Sequence, residues 1–204
     1  MIYTTPNIYR NIFKNVVWDN FENKVLLTFD DGPDEYATLD VLEVLNNYKV
    51  KAEFYISGKN ILKNEHILFD IVKEGHKICN HGFHHLRSIA FSNSRLRDSI
   101  LKTENILKDL NINFSKYYRP PFGFFLPHNL KMIRNLNYKI KMWSILSGDY
   151  TKTNNEIMKL ISRNIKQNSI IVFHDNEITR SKIKNILKQT ISQINEMGYY
   201  LNGN

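Results

Sequence analysis

Short apolar runs alternate with stretches of helical periodicity along almost the whole chain. The strand-like runs are residues 25–29, 50–56, 77–79, 117–119, 139–143, 169–173 and 199–201. Between them, apolar residues recur at the three- and four-residue spacing of helices, over 41–48, 67–72, 96–110, 126–136, 156–165 and 183–194. This alternation indicates parallel strands joined by helical crossovers. It is compatible with a doubly wound sheet and with a small (β/α) barrel.

The pattern predicts one domain. The 204 residues contain no repeat, linker or low-complexity break. A chain of this length buries roughly 70% of its unfolded surface, so the core can be large. We expect residues 1–23 to form an N-terminal segment packed on the outside and residues 24–204 to form the domain itself.

Charge changes this picture little. Lys and Arg number 28 against 20 Asp and Glu, which gives a formal net charge of +8 and favours contact with anionic polymers. The basic residues are scattered, and no basic stripe interleaved with aromatic residues is present, as a nucleic-acid-binding protein would need. We therefore interpret the charge as solvated surface and expect no nucleic-acid partner.

Cysteine content and hydropathy limit the kind of site and the location. The single cysteine, Cys79, excludes an internal disulfide, so a metal site would need His, Asp and Glu ligands. No segment approaches the roughly 20 apolar residues that span a bilayer, so we expect no integral membrane segment. The first residues lack the apolar region of a signal peptide, which favours a cytoplasmic location, although action at the cell envelope stays open.

Polar side chains recur where the predicted strands end. They are Asp30 and Asp31 after the first strand, His81 and His85 after the third, Pro120 to Gly123 after the fourth, Asp149 after the fifth, and His174 and Asp175 after the sixth. The carboxyl ends of parallel strands share one rim of a barrel or sheet, where catalytic groups converge. The sequence therefore predicts that these side chains lie close together.

The two histidines suggest a metal site. His81 and His85 are four residues apart, a spacing that would place both imidazoles on one face of a helical turn. His84 is a rival ligand with a less convenient spacing. Adding Asp31 gives two histidines and one carboxylate, with a position left for water or substrate, as in catalytic zinc sites. The neighbouring Asp30 would then be free to serve another partner.

Arg119 and His174 are candidates for proton-transfer chemistry. A guanidinium can hold a catalytic carboxylate ionised and correctly aimed. A histidine beside a carboxylate has a raised pKa and can act as a general acid. Asp149 and Asp175 are both candidates for that carboxylate.

These residues lie in five motifs that resemble those of the polysaccharide deacetylase family, the NodB homology domain of carbohydrate esterase family 4. The motifs are Thr-Phe-Asp-Asp-Gly-Pro at 28–33, Asn-His-Gly-Phe-His-His at 80–85, Arg-Pro-Pro-Phe-Gly at 119–123, the segment ending Gly-Asp-Tyr at 143–150, and Val-Phe-His-Asp at 172–175. They occur in order, and the resemblance spans about residues 24–201. It implies a distorted (β/α) barrel of seven to eight mostly parallel strands.

The resemblance also implies roles for individual residues. A divalent metal, most often zinc with cobalt, nickel or manganese as alternatives, would be bound by Asp31, His81 and His85. Asp30 would be the general base aimed by Arg119, and His174 the general acid tuned by Asp149. The remaining implied contacts are an oxyanion-binding backbone N–H near Phe122, a methyl pocket lined by Val172, and a groove wall at Tyr150. At these last three positions the family usually has Tyr, Leu and Trp, so the groove and acyl preference are expected to differ in detail.

The expected reaction is the metal-dependent removal of N-acetyl groups from amino sugars of a peptidoglycan- or chitin-like glycan, with release of acetate. Two alternatives stay open from the sequence. The same metal site could act on a non-glycan amide or ester, or the chain could be a catalytically silent glycan-binding module. Nothing in the sequence predicts the oligomeric state.

Overall fold

A computed structural model describes residues 3–203, with only the backbone described at 88 and 89. Its centre is a sheet of seven strands. They are β1 (Leu26–Asp30), β2 (Glu53–Ile56), β3 (Lys77–Asn80), β4 (Tyr117–Tyr118), β5 (Lys139–Ile140), β6 (Ile145–Leu146) and β7 (Ile170–His174). All six pairings between neighbouring strands are parallel.

The helices cover the outside of this sheet. They are α1 (Asn7–Ile12), α2 (Ala37–Asn47), α3 (Gly58–Ile61), α4 (Glu65–Lys73), α5 (Asn93–Asp109), α6 (Pro127–Asn135), α7 (Asn154–Asn164) and α8 (Ile183–Glu196), with short 3-10 turns at Arg87–Phe91 and Pro121–Gly123. The six predicted helices are confirmed as α2 and α4 to α8. In the part of the chain that the structure describes, no helix is both long enough and apolar enough to traverse a bilayer.

The strand order selects the barrel over the doubly wound sheet. The order is β5-β4-β3-β2-β1-β7-β6. Strands that are neighbours in the sheet are also consecutive in the chain, with β7 beside β1, so the strands follow one another around a barrel that is open between β5 and β6. In a doubly wound sheet, by contrast, the strand order reverses at a switch point. The predicted distorted (β/α) barrel of seven parallel strands is confirmed.

N-terminal residues lie along this opening. The N–H of Leu146 in β6 donates to the carbonyl of Tyr3 at 2.7 Å, while the N–H of Val17 donates to the carbonyl of Ile140 in β5 at 2.9 Å. Tyr3 and Val17 therefore contact the two edge strands. The division of the chain at residue 23 stays a prediction.

Two predicted strands are wrong in part. The run at 139–143 ends as a strand at Ile140, because the carbonyls of Lys141 and Met142 accept hydrogen bonds from Arg119 Nε and Nη2 at 3.1 and 2.9 Å. The chain then forms β6, which was not predicted. The run at 199–201 supplies only an isolated bridge from Leu201 to Val25. The number of strands was correct, but the seventh member is a different segment.

The two faces of the sheet have different chemistry. On the outer face, Phe29 stacks between Phe54 and Phe173 with ring centroids 5.1 and 6.2 Å apart, within the main apolar core. Because side chains alternate along a strand, the residues between them point inward. That inward set is buried and includes the polar side chains of Thr28, Asp30, Glu53 and Tyr55. A barrel interior lined in this way can hold charged groups only if they are paired, which is the basis of the site below.

Candidate metal and active site

The side chains of Asp31, His81 and His85 meet at the carboxyl end of the sheet. Oδ1 of Asp31 lies 3.4 Å from Nε2 of His81 and 3.2 Å from Nε2 of His85. This oxygen is buried and accepts no hydrogen bond from any residue that the structure describes. One ligand atom from each residue lies within 4.8 Å of the others. A buried, unsatisfied anionic oxygen facing two imidazole nitrogens is a site for a cation.

The donor set fits a divalent metal such as zinc. With zinc–ligand bonds of about 2.0–2.1 Å, tetrahedral ligands lie roughly 3.3 Å apart, close to the two observed separations. Nδ1 of His81 lies 2.7 Å from the carbonyl oxygen of Arg119, so Nδ1 must donate, and Nε2 is the ring nitrogen that faces Asp31 and is available to a metal. Burial lowers the pKa of His85, although the Asp31 carboxylate acts in the opposite direction. Burial raises the pKa of Asp31, but the nearby imidazoles of His81, His174 and His85 outweigh it and hold the carboxyl ionised.

The segment that carries the two histidines is an irregular loop, so the predicted helical turn is wrong. Gly82, with φ of +82°, reverses the chain after β3, and its N–H donates to Oδ1 of Asn80 at 2.7 Å. The N–H of Phe83 donates to Oγ of Ser99 in α5 at 2.8 Å. These anchors bring the imidazoles to centroids 5.3 Å apart. His84 is exposed and lies outside the cluster.

Asp30 forms a buried pair with Arg119. Nη1 of Arg119 donates to Oδ1 of Asp30 at 2.6 Å and to Oγ1 of Thr28 at 2.8 Å. Arg119 is fully buried, and its Cζ lies 3.7 Å from the centre of the Tyr55 ring. With the two carbonyls of residues 141 and 142, four of the five N–H donors of the guanidinium are engaged. Its position, and therefore that of Asp30, is fixed.

His174 pairs with Asp149 and not with Asp175. Nδ1 of His174 donates to Oδ1 of Asp149 at 2.8 Å, and Oδ2 of Asp149 accepts the backbone N–H of His174 at 2.7 Å. Burial lowers the pKa of His174, but the Asp149 carboxylate outweighs it and raises the pKa to about 9. Asp175 instead accepts from Oγ1 of Thr38 at 2.6 Å and from the N–H of Gly32 at 3.1 Å. Cross-strand pairing places His174 directly beside Asp30.

The three expected substrate contacts lie around these pairs with different exposures. Phe122 is 58% exposed, has φ of +59°, and places its ring 4.3 Å from that of His85. Tyr150 contacts the ring of His174 edge-on at 5.1 Å. Val172 is fully buried next to Thr28 in the β1–β7 ladder. Phe122 therefore flanks His85 and Tyr150 flanks His174, whereas Val172 lies beneath them.

A family model described as polysaccharide deacetylase matches residues 19–141, more than half of the chain. The chain belongs to the polysaccharide deacetylase family. Among its solved relatives, the peptidoglycan N-acetylglucosamine deacetylase Bc1960 superposes with a TM-score of 0.87 and is 30% identical, over 96% of this chain and 93% of that one. The fold and the family thus agree.

Curated members of the polysaccharide deacetylase family give the same picture. A peptidoglycan-N-acetylglucosamine deacetylase of Bacillus cereus is 28% identical over 189 residues, which cover 90% of this chain and 88% of that protein. A second protein of that name and organism is 39% identical over 127 residues, which cover 62% of this chain and 46% of that protein.

A Bacillus anthracis protein described as a pseudoenzyme of carbohydrate esterase family 4 shares the fold, with a TM-score of 0.81 and 22% identity over 91% of this chain and 66% of that one. Within this fold, activity must therefore be argued from the site.

Sequence reasoning missed two asparagines that hold Asp31. Nδ2 of Asn60 donates to the carbonyl oxygen of Asp31 at 2.7 Å, and Nδ2 of Asn176 donates to its Oδ2 at 2.7 Å. Neither contact has a local signal, because Asn is frequent in this chain and these two come from different elements, α3 and the turn after β7. Only the position of Asn176, two residues after His174 and therefore on the same rim, was a usable hint.

Proposed function

We propose that this chain is a metal-dependent hydrolase that removes N-acetyl groups from amino sugars of a glycan and releases acetate. The observation that carries the proposal is the meeting of three units at one rim: the Asp31, His81 and His85 triad, the Asp30–Arg119 pair and the His174–Asp149 pair. Together they offer a cation site, a carboxylate base and an imidazolium acid, which is a set that can carry out metal-dependent amide hydrolysis.

The chain's own residues would move two protons. Asp30, aimed by Arg119, accepts a proton from the attacking water as the C–O bond forms. His174, whose Nδ1 is occupied by Asp149, donates from Nε2 to the amide nitrogen as the C–N bond breaks. A divalent cation at the triad supplies Lewis-acid activation of water and of the carbonyl. Each proton transfer contributes about 100- to 10,000-fold in rate.

The proposed substrate is a peptidoglycan- or chitin-like chain of N-acetylglucosamine. Support comes from the names of the relatives, which include peptidoglycan deacetylases and a chitooligosaccharide deacetylase of a Bradyrhizobium strain that is 26% identical over 74% of this chain and 70% of that protein. The net charge of +8 suits an anionic glycan. Zinc is our proposed metal, and Phe122, Val172 and Tyr150 our proposed substrate contacts. A peptidoglycan substrate argues for action at the cell envelope.

Acetate release from peptidoglycan, chitin oligomers and acetylated xylan tests the substrate class. We expect acetate from at least one of the two N-acetylglucosamine polymers, loss of activity after chelation, and recovery with added zinc. Activity that chelators leave unchanged, or acetate from xylan alone, would contradict the proposal.

Substitution of the two neighbouring carboxylates, Asp30 and Asp31, distinguishes metal binding from proton transfer. Asp31→Ala should lose both zinc and activity. Asp30→Asn should keep zinc, measured by elemental analysis, yet lose about 100- to 10,000-fold in kcat. The exposed His84 provides the matched histidine control, and His84→Ala should keep zinc and activity. Loss of zinc in Asp30→Asn would show that the two carboxylates have been assigned the wrong way round.

A further inference from the structure

The two oxygens of the Asp31 carboxylate have different surroundings. Oδ1 faces the imidazoles of His81 and His85 and has no hydrogen-bond donor among the described residues. Oδ2 accepts the side-chain amide of Asn176 at 2.7 Å. The carboxylate is therefore divided between a cation side and a hydrogen-bonded side, and Asn176 is the residue that distinguishes them.

The orientation of the Asn176 amide is determined by its other contacts. Its Oδ1 accepts the backbone N–H of Ile178 at 3.0 Å, which closes a turn after β7. Thr179 holds the backbone of the same turn. Its Oγ1 accepts the N–H of Asn176 at 3.3 Å, and its own N–H donates to the carbonyl oxygen of Asn176 at 3.1 Å. An N–H can only donate, so the amide oxygen must face Ile178 and the NH2 group must face Asp31.

We propose that Asn176 is a positioning residue that binds Oδ2 of Asp31 and thereby presents Oδ1 alone to the metal. This inference rests on the proposed metal-dependent function. A carboxylate can rotate about its last torsion and offer one or both oxygens to a cation, so a fixed donor on Oδ2 selects binding through one oxygen. The position that the second oxygen would otherwise take stays available for water or substrate.

The expected size of the effect follows from comparable hydrogen bonds to metal ligands in other metalloproteins. Hydrogen-bond partners of metal ligands typically change metal affinity by about 10- to 100-fold when removed. We therefore expect Asn176→Ala to bind zinc more weakly, with a dissociation constant about 10- to 100-fold higher. The constant is measured by competition with a chromophoric chelator. The visible spectrum of the cobalt-loaded protein, which reports coordination number, should change in the same variant.

Two further variants separate this role from a purely structural one. Asn64 also donates its side-chain amide to the loop after β1 that carries Asp31. The acceptor is the carbonyl oxygen of Pro33 at 3.0 Å, so this bond leaves the Asp31 carboxylate untouched. Asn64→Ala should keep zinc affinity within about twofold and leave the cobalt spectrum unchanged. Asn176→Gln keeps an amide that can reach Asp31 but loses the turn to Ile178, so it should recover part of the affinity that Asn176→Ala loses. Thermal unfolding of the metal-free proteins shows whether each variant is folded.

The outcomes distinguish this proposal from the proposed function. If the wild-type chain binds no zinc or cobalt, both fail. If the wild type binds zinc and Asn176→Ala binds it as tightly with an unchanged cobalt spectrum, only the role of Asn176 fails. If Asn176→Gln is as weak as Asn176→Ala, or Asn64→Ala is equally weak, the loop and not the hydrogen bond governs affinity, and the proposal is overturned.

Discussion

Replacing Asp149 by Asn tests how this fold makes His174 an acid. The carboxylate binds His174 twice, at Nδ1 and at the backbone N–H, with distances of 2.8 and 2.7 Å. Both of these groups donate, and an Asn side chain has only one oxygen to accept them. The variant therefore loses the negative charge and turns an NH2 group toward one of the two donors, while burial of His174 is unchanged.

The magnitude follows from the pKa of His174, which is about 9 against an ordinary value of 6.5. The surroundings favour the protonated imidazole by about 3 kcal/mol, since one pKa unit is worth about 1.4 kcal/mol. In Asp149→Asn the largest influence that raises the pKa is lost, while burial still lowers it against the weaker attraction of Asp31 and Asp30, so the pKa should fall toward its ordinary value of 6.5. With a pKa of about 6.5, the protonated fraction at pH 8 falls from about 90% to about 3%, and turnover should fall about 30-fold.

Activity measured against pH, together with an NMR titration of the His174 imidazole, provides the assay. In the wild type kcat should decline as pH rises through about 9, and in the variant the decline should begin below pH 7. A raised pKa stabilises the folded state below the unfolded value of 6.5, and this contribution is lost as pH rises through about 9. The deficit in unfolding free energy of the variant should therefore be larger at pH 6 than above pH 9. An imidazole that still titrates near 9 in the variant would refute the reasoning.

Two further predictions concern the buried frame of the site. Arg119→Lys keeps a positive charge but cannot reproduce the set of donors that binds Asp30, Thr28 and two carbonyls. The unfolding free energy should therefore fall by about 3 kcal/mol, and kcat should drop while zinc is retained. An unchanged melting temperature would contradict this prediction. In Gly32→Ala the new Cβ would lie 2.1 Å from Oδ2 of Asp175, so we expect a loss of about 1–3 kcal/mol in denaturant unfolding. Adding Asp175→Ala should recover part of that loss, and strictly additive losses would show that the two side chains do not meet.

The sequence predicted most of the helices and the meeting of Asp31, His81 and His85, because both follow from apolar periodicity and from the order of the strands. Apolar spacing identified α2 and α4 to α8 without knowledge of the fold. Asp31, His81 and His85 were predicted to meet because strand ends in a parallel sheet share one rim, and this held although the helical turn proposed for the two histidines is a loop.

The two incorrect strand predictions involve partners that are distant in sequence. Residues 141 and 142 have the pattern of a strand, but their carbonyls bind the Arg119 guanidinium, which lies 22 and 23 positions earlier in the chain. The C-terminal run is apolar enough for a strand, yet only Leu201 reaches Val25. A pattern records which residues could enter a ladder, and it does not record which donors will compete for their carbonyls.

The sequence by itself thus determined the alternation of strands and helices and the rim at which the reactive groups collect, because periodicity and strand ends are properties of contiguous residues. Tertiary structure alone decided that Asp149 and not Asp175 binds His174, that β6 completes the sheet, and that Asn176 holds Asp31. Each of these is a choice between chemically equivalent side chains or segments. It is made by the path of loops packed across the barrel, where a difference of a few ångströms decides which donor meets which acceptor.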